Sequence, residues 1–246
     1  MSFAARITRC PHPFDADRGQ DAHDLFPDVA TKVGELIAGA AGCSPYLADL
    51  FRREGEWLSP ALDDPEGAIA GLLADIPTTP LGDLPKALRQ AKRRVALLTG
   101  LADLGGVWPL ETVTQVLTDF ADAAVQAAIT QLAVAEVARG KLPDGGDPAD
   151  AGGMVVLAMG KMGAGELNYS SDIDLICLFD APRFDPDDSH EVRAAFIRLP
   201  RKMPAIRSDL REGGYVFRTD LRLRPDASVT PVCLSMEAAE RYYESV

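Results

Sequence analysis

The sequence predicts an α+β protein, with a helical amino-terminal region followed by a mixed β-sheet and flanking helices, and three observations carry that reading. Through residues 1–141 apolar side chains recur every three or four positions, which is the spacing of amphipathic helices. A stretch rich in Pro, Gly and Asp, LPDGGDPADAGG over 142–153, then breaks the pattern. Beyond it, over 154–246, the period changes to two in MVVLAM and DIDLICLF, which is strand spacing. The expected organisation is a helical region 1–141, a linker 142–153 with nothing to bury, and a sheet-bearing core 154–246.

Each element has its own local signal. Pro11 to Gln20 shows no steady period and reads as loop. Asp64-Pro65 supplies a cap and a first-turn proline for EGAIAGLLADI, and Asp83 with Pro85 does the same for the next helix. In that helix Leu84, Leu88, Ala91, Val95, Leu98 and Ala102 form the apolar stripe. A third helix is expected from Pro109 to Gly140, with Leu110, Val113, Leu117, Phe120, Ala124 and Ala128 buried and Arg139-Gly140 as its exit. Three such helices make a bundle. In the core, strands are expected at Met154 to Met159, Asp172 to Phe179 and Tyr215 to Arg224, with a helix over Asp188 to Glu212 that Pro200 and Pro204 should kink or interrupt. The final LSMEAAERYYESV has helical pattern without an exit signal, so the chain reads as cut short.

Composition narrows the function classes. The 246 residues are 47% hydrophobic and 25% charged, as in soluble globular proteins. Their net charge of −12 repels a phosphate backbone, so nucleic acid is not expected as a partner. Cys10, Cys43, Cys177 and Cys233 lack the spacing of a zinc knuckle or a disulfide framework. The opening MSFAARITRC has no signal-peptide core after it and no run approaches ~20 apolar residues, so no membrane partner and a cytoplasmic location are expected.

The residues that carry chemistry lie beyond the linker. Strand alternation puts Asp172 and Asp174 on one face at the mouth of the second strand, and Val216, Arg218, Asp220, Arg222 and Arg224 on one face of the last. Two carboxylates so close raise each other's pKa unless a cation sits between them, and Mg2+ suits an all-oxygen site of this kind, with Asp220 as third ligand. A lone DxD more often solvates a strand end. A calcium loop is excluded by the apolar Ile173, Leu175 and Ile176 between and after the acids. Upstream, Gly160-Lys161-Met162-Gly163-Ala164-Gly165 is a glycine turn whose amides could cradle phosphate, or simply a tight hairpin; it has neither Walker A nor dinucleotide-fingerprint spacing. Ser171 and Ser170 are open to phosphate contact or strand capping, Glu166 and Asn168 to ordering the turn. Arg222 and Arg224 could fork around phosphate oxygens or only balance the acids. His12, His23 and His190 lack partners at ligand spacing and read as surface residues.

Taken together, VVLAMGKMGAGELNYSSDIDLICLF and VFRTDLRLRPDASVTPVCLSMEAAERYYES resemble the glutamine synthetase adenylyltransferase and adenylyl-removing family, of the polymerase-beta nucleotidyltransferase superfamily. CSPYLADLFRREGEWL and AKRRVALLTGLADLGGVWPL match more loosely. The resemblance implies a nucleotidyltransferase core with Asp172, Asp174 and Asp220 as catalytic metal ligands, two Mg2+ ions, and Gly160, Lys161, Ser171, Arg222 and Arg224 toward nucleotide or phosphate. It implies AMP moved to or from a tyrosine of glutamine synthetase, with ATP, ADP and phosphate as small partners, a nitrogen-signalling protein as possible regulator, and control of glutamine synthesis as the outcome. Relatives carry two such modules, and the helical region after Met1 matches the one expected before the first, which removes AMP by phosphorolysis. The alternative is a truncated, inactive module that binds glutamine synthetase or a signalling protein.

Overall fold

The computed structural model describes residues 2–185, 187, 189–207 and 216–245. Its contacts cluster into two units, Met1–Asp75 with Gln90–Phe120, and Ile76–Arg89 with Ala121–Val246.

The first unit is helical: α1 (Phe3–Arg6), α2 (Ala16–His23), α3 (Thr31–Cys43), α4 (Pro45–Ala61) and α5 (Pro65–Asp75). Side-chain caps set several starts. Ser44 accepts from the Leu47 amide at 3.2 Å ahead of Pro45, and Asp64 accepts from the Gly67 amide at 3.0 Å as expected. The loop expected over Pro11 to Gln20 is corrected, since α2 starts at Ala16 with Asp15 as its cap. Gly19, inside that stretch, is a contact residue of α2: a Cβ on it would stand 2.7 Å from the Ala38 carbonyl oxygen. Leu36, Ile37, Leu50, Phe51 and Leu58 are buried among these helices. Glu54, also buried, takes Arg93 Nε at 2.6 Å and Arg94 Nε at 2.9 Å, so its charge is paired.

Helices α6 (Leu84–Leu104) and α7 (Leu110–Ala138) each contribute residues to both units. Every residue of the expected α6 stripe is buried. So is that of α7, except Leu110, which is 69% exposed and corrects the expectation: it sits in the first turn, one step before the buried run begins at Val113. The exit is the expected glycine, with Gly140 at φ +67° and the Lys141 amide donating to the Glu136 carbonyl at 2.9 Å. By length and composition α7 could cross a membrane, contrary to the expectation that no run is apolar enough; Phe120, Ala124, Ala128 and Leu132 are buried within the protein, as in a core helix.

In the second unit, residues 142–153 do bury side chains: Leu142 and Ala151 are both inside, and Pro148–Gly153 forms a 3₁₀ turn. Strands β1 (Met154–Met159) and β2 (Ile173–Phe179) pair antiparallel, joined through the short α8 (Gly160–Gly163). Strands β3 (Thr219–Asp220) and β4 (Cys233–Ser235) both run parallel to β2, so the sheet is mixed as expected. Helix α9 (Ser189–Arg207) makes the crossover, and α10 (Met236–Glu244) follows β4. Asp188, Glu212 and Tyr215 lie outside the described residues.

Two expectations are corrected here. The interruption by Pro200 and Pro204 does not occur, since the helix continues from Ser189 to Arg207 through both. Phe196, Leu199 and Met203 are completely buried along it, with Phe196 stacked on Phe179 at 4.8 Å, and that packing offsets the backbone bonds the prolines remove. The last strand is two residues long instead of ten, and Val216 and Phe217 are both buried where alternation would separate them. After Asp220 the chain turns because side chains capture the backbone: Asp220 accepts from the Arg222 amide at 2.8 Å, and Arg224 donates to the carbonyls of Leu221, Ala227 and Thr230. Strand β4 was not foreseen at all.

Candidate active site

Asp174 of β2 and Asp220 of β3 are register partners on parallel strands, so both side chains leave the sheet on the same side. Asp172 precedes β2 by one residue and lies two positions before Asp174. Met159 pairs with Asp174 across the antiparallel side, which brings the glycine turn to the carboxylates. Gly160 takes φ +57°, and a Cβ on it would stand 3.1 Å from Asp174 Oδ2. A larger residue there is strained and crowds the acid.

The turn is closed by its own bonds. The amides of Ala164, Gly165 and Glu166 donate to the carbonyls of Gly160, Met162 and Lys161, so these three are spent within the turn. Lys161 is exposed beside them. Asn168 orders the approach to β2: its Oδ1 accepts from the Ser170 amide at 3.1 Å and from Ser171 Oγ at 2.8 Å, while Ser171 Oγ accepts from the Asn168 amide at 3.2 Å. Ser171 is therefore placed next to the acids with its hydroxyl already in a turn.

Arginines supply the cation that the paired acids require. Arg222 donates through Nε to Asp220 at 2.9 and 3.0 Å and also through Nη2. Its side-chain bonds and then its backbone amide hold the Asp220 carboxyl below the usual range, and Asp220, with a smaller push from Asp174, raises the Arg222 guanidinium. Arg218 Nε meets Asp172 at 2.6 Å. Arg218 was not singled out from the sequence; its place two residues before Asp220 was the available signal. Arg224 is placed differently from its expectation. Its hydrogen bonds among the described residues go to backbone carbonyls, and it shapes the turn after β3.

The donor set fits a hard divalent cation in chemistry, three carboxylates, and in the shared face of Asp174 and Asp220. Among the described residues, though, no three His, Cys, Asp or Glu side chains are disposed as ligands. Asp172 and Asp220 are held by Arg218 and Arg222. Among the described residues the side chain of Asp174, unlike those of Asp172 and Asp220, has no hydrogen bond or salt bridge.

Fold and site thus define an α+β protein with a carboxylate pair where β1's glycine turn meets the parallel edge of a small mixed sheet. The chain belongs to the glutamate-ammonia ligase adenylyltransferase family, whose family model matches residues 34–246. It is 46% identical to a bifunctional glutamine synthetase adenylyltransferase/adenylyl-removing enzyme of Bradyrhizobium diazoefficiens, over 99% of this chain and 27% of the relative. Enzymes of the same name from Rhodopseudomonas palustris and Caulobacter vibrioides are 43% and 39% identical, over 94% and 99% of this chain and 24% and 26% of their own length. The chain spans about a quarter of the length of these relatives.

Proposed function

We propose that this chain carries adenylyl-removing chemistry on glutamine synthetase. Phosphate oxygen attacks the α-phosphorus of a tyrosyl-AMP, the phosphorus–tyrosine oxygen bond breaks, the tyrosine oxygen leaves and takes a proton, and the products are ADP and the unmodified tyrosine side chain of glutamine synthetase. The relatives' names support the reaction pair and the target. The single observation that carries a catalytic site is the register of Asp174 with Asp220, because it sets two acids facing one way beside a glycine turn, and Asp174 has no side-chain partner there among the described residues to account for it structurally.

Asp172, Asp174 and Asp220 would hold the divalent cation. When bound, magnesium supplies charge neutralisation at the phosphorus and at the departing oxygen. The chain's own residues position: the Gly160–Gly165 turn sets Asp174, Asn168 and Ser171 fix the approach to β2, and Lys161 stands exposed toward solvent where a phosphate could meet it. ATP belongs to the reverse transfer, and a nitrogen-signalling protein to control of its direction.

The second reading, a module that binds glutamine synthetase without chemistry, is favoured by the ion pairs on Asp172 and Asp220. Incubating the chain with adenylylated glutamine synthetase, inorganic phosphate and Mg2+, and in parallel with unmodified glutamine synthetase, ATP and Mg2+, separates the two. ADP forms if the proposal holds, and Asp174→Asn lowers its rate at least ~100-fold. Binding with neither ADP formation nor AMP addition from ATP supports the scaffold; AMP addition without ADP formation reverses the direction proposed here.

A further inference from the structure

Resting on the metal-site reading of the three acids, we infer that Arg222 is an exchangeable placeholder: it pairs with Asp220, and passes to a phosphate group when a divalent cation takes the carboxylate. The ligand it accepts is a phosphoryl dianion, either inorganic phosphate or a terminal nucleotide phosphate. Cation and phosphate binding are thereby coupled.

Three observations carry this. Arg222 reaches Asp220 with its side chain and its backbone amide, yet the Arg222 side chain remains 84% exposed while that of Asp220 is 22% exposed. With the arginine side chain this solvated the pair contributes little, so the arginine can swing away while the more buried acid stays put. The backbone bond is the second observation. It keeps Asp220 anchored at Oδ1 whether or not the guanidinium is present, so release of the side chain does not release the acid.

Charge is the third. Asp172, Asp174 and Asp220 against Arg218 and Arg222 leave the site with one net negative charge. Adding a divalent cation alone makes it positive by one, and adding a phosphate dianion alone makes it more negative by two. Together they restore the starting charge. Each ligand therefore favours the other, and the planar fork of arginine suits either a carboxylate or a phosphate. By linkage the effect is reciprocal.

The test is Mn2+ binding to the full chain, followed by the electron paramagnetic resonance of free Mn2+, with and without inorganic phosphate or ADP and corrected for complexes in solution. In wild type either phosphate source tightens Mn2+ about tenfold. Arg222→Gln binds Mn2+ alone more tightly than wild type, and its phosphate coupling falls below about twofold. Arg222→Lys keeps the charge without the fork and lies between. Asp174→Asn loses Mn2+ under every condition.

Coupling in Arg222→Gln equal to wild type, or no coupling in wild type, overturns the exchange and leaves the metal site standing. Mn2+ binding that survives Asp174→Asn, or no Mn2+ binding to the wild type, removes the site and the exchange with it. Tightening by ADP but not by inorganic phosphate identifies the nucleotide as the source of the dianion.

Discussion

Asp174 and Asp220 face the same way from neighbouring parallel strands, and only Asp220 has an arginine on it. Strands in a sheet are ~4.8 Å apart, which sets the two like charges side by side. Asp174→Asn removes one charge and keeps the shape. Its stability should match wild type within about 0.5 kcal/mol or rise slightly. Thermal melting checks this, and a clear fall in melting temperature would mean that Asp174 holds the sheet together.

Glu136 offers the opposite case. Its side chain is 1% exposed and takes Arg139 at 3.0 Å, Arg198 at 2.9 Å and Lys202 at 2.7 Å. Burial works to raise its carboxyl, but bonds from Lys202 and Arg198 outweigh that and hold it below the ordinary range. A depressed carboxyl stabilises the fold above the unfolded value of ~4.3, and that contribution is lost as pH falls through the folded value. Glu136→Gln should cost about 2 kcal/mol at neutral pH, less than a completely buried pair because its partners are half exposed. Denaturant titrations should show the deficit shrinking below pH ~4. A deficit unchanged at low pH would assign the loss to packing.

Periodicity made the α6 stripe, the strands β1 and β2 and the buried run of α7 legible, because each buries one face over many residues. Leu110, at a helix start, escaped that rule. Strand β3 was overestimated for a physical reason: YVFRTDLRLR alternates in composition, yet Asp220 and Arg224 bond the nearby backbone and turn the chain away from a partner. Helix α2 was missed because Gly19 is a contact surface against Ala38, and contact partners are invisible in a single sequence. At the site, the DxD motif located Asp172 and Asp174 at the start of β2, while the register with Asp220 and the arginine pairings depend on tertiary placement.

Glu66 predicts a second acid-linked step. Arg6 donates to it at 2.7 and 3.2 Å and Trp108 Nε1 at 2.7 Å. Arg6 first, then Trp108, overcome the upward push of partial burial and hold the carboxyl at about 2. Its contribution is present above ~4.5 and lost as pH falls from there toward about 2. With half of the side chain in solvent, it is worth ~1 kcal/mol or less. In a Trp57→Phe background, Trp108 fluorescence should change over that acid range in wild type and not in Glu66→Gln. A change that persists in the variant would point to another group.

Thiol chemistry should divide the four cysteines evenly. Cys177 and Cys233 are register partners on β2 and β4 and are both buried, and burial pushes the Cys233 thiol up. Cys43 is exposed and Cys10 partly so. A water-soluble thiol reagent should label Cys10 and Cys43 in the native protein, and Cys177 and Cys233 only after denaturation. Native labelling of Cys233 would mean that β4 opens from the sheet.

Gly160→Ala tests the junction between the glycine turn and the acid. Two costs fall on one methyl group. At φ +57° an alanine loses roughly 1 kcal/mol relative to glycine, since the left-handed region crowds Cβ against the carbonyl. The same methyl would stand 3.1 Å from Asp174 Oδ2, tighter than ordinary contact, so the carboxylate must move by a few tenths of an ångström. The stability loss should therefore stay near ~1 kcal/mol, within reach of a denaturation titration. Function should fall further than that, because positioning errors below ~1 Å at a reacting centre cost rate steeply. Gly163→Ala is the control for strain without the acid, as its methyl would meet the Ala158 carbonyl oxygen at 2.4 Å instead. Both variants should destabilise, and only Gly160→Ala should weaken Mn2+ binding beyond what its lost stability explains. Equal Mn2+ affinity in the two would show that the turn supports the sheet alone and does not set the position of Asp174.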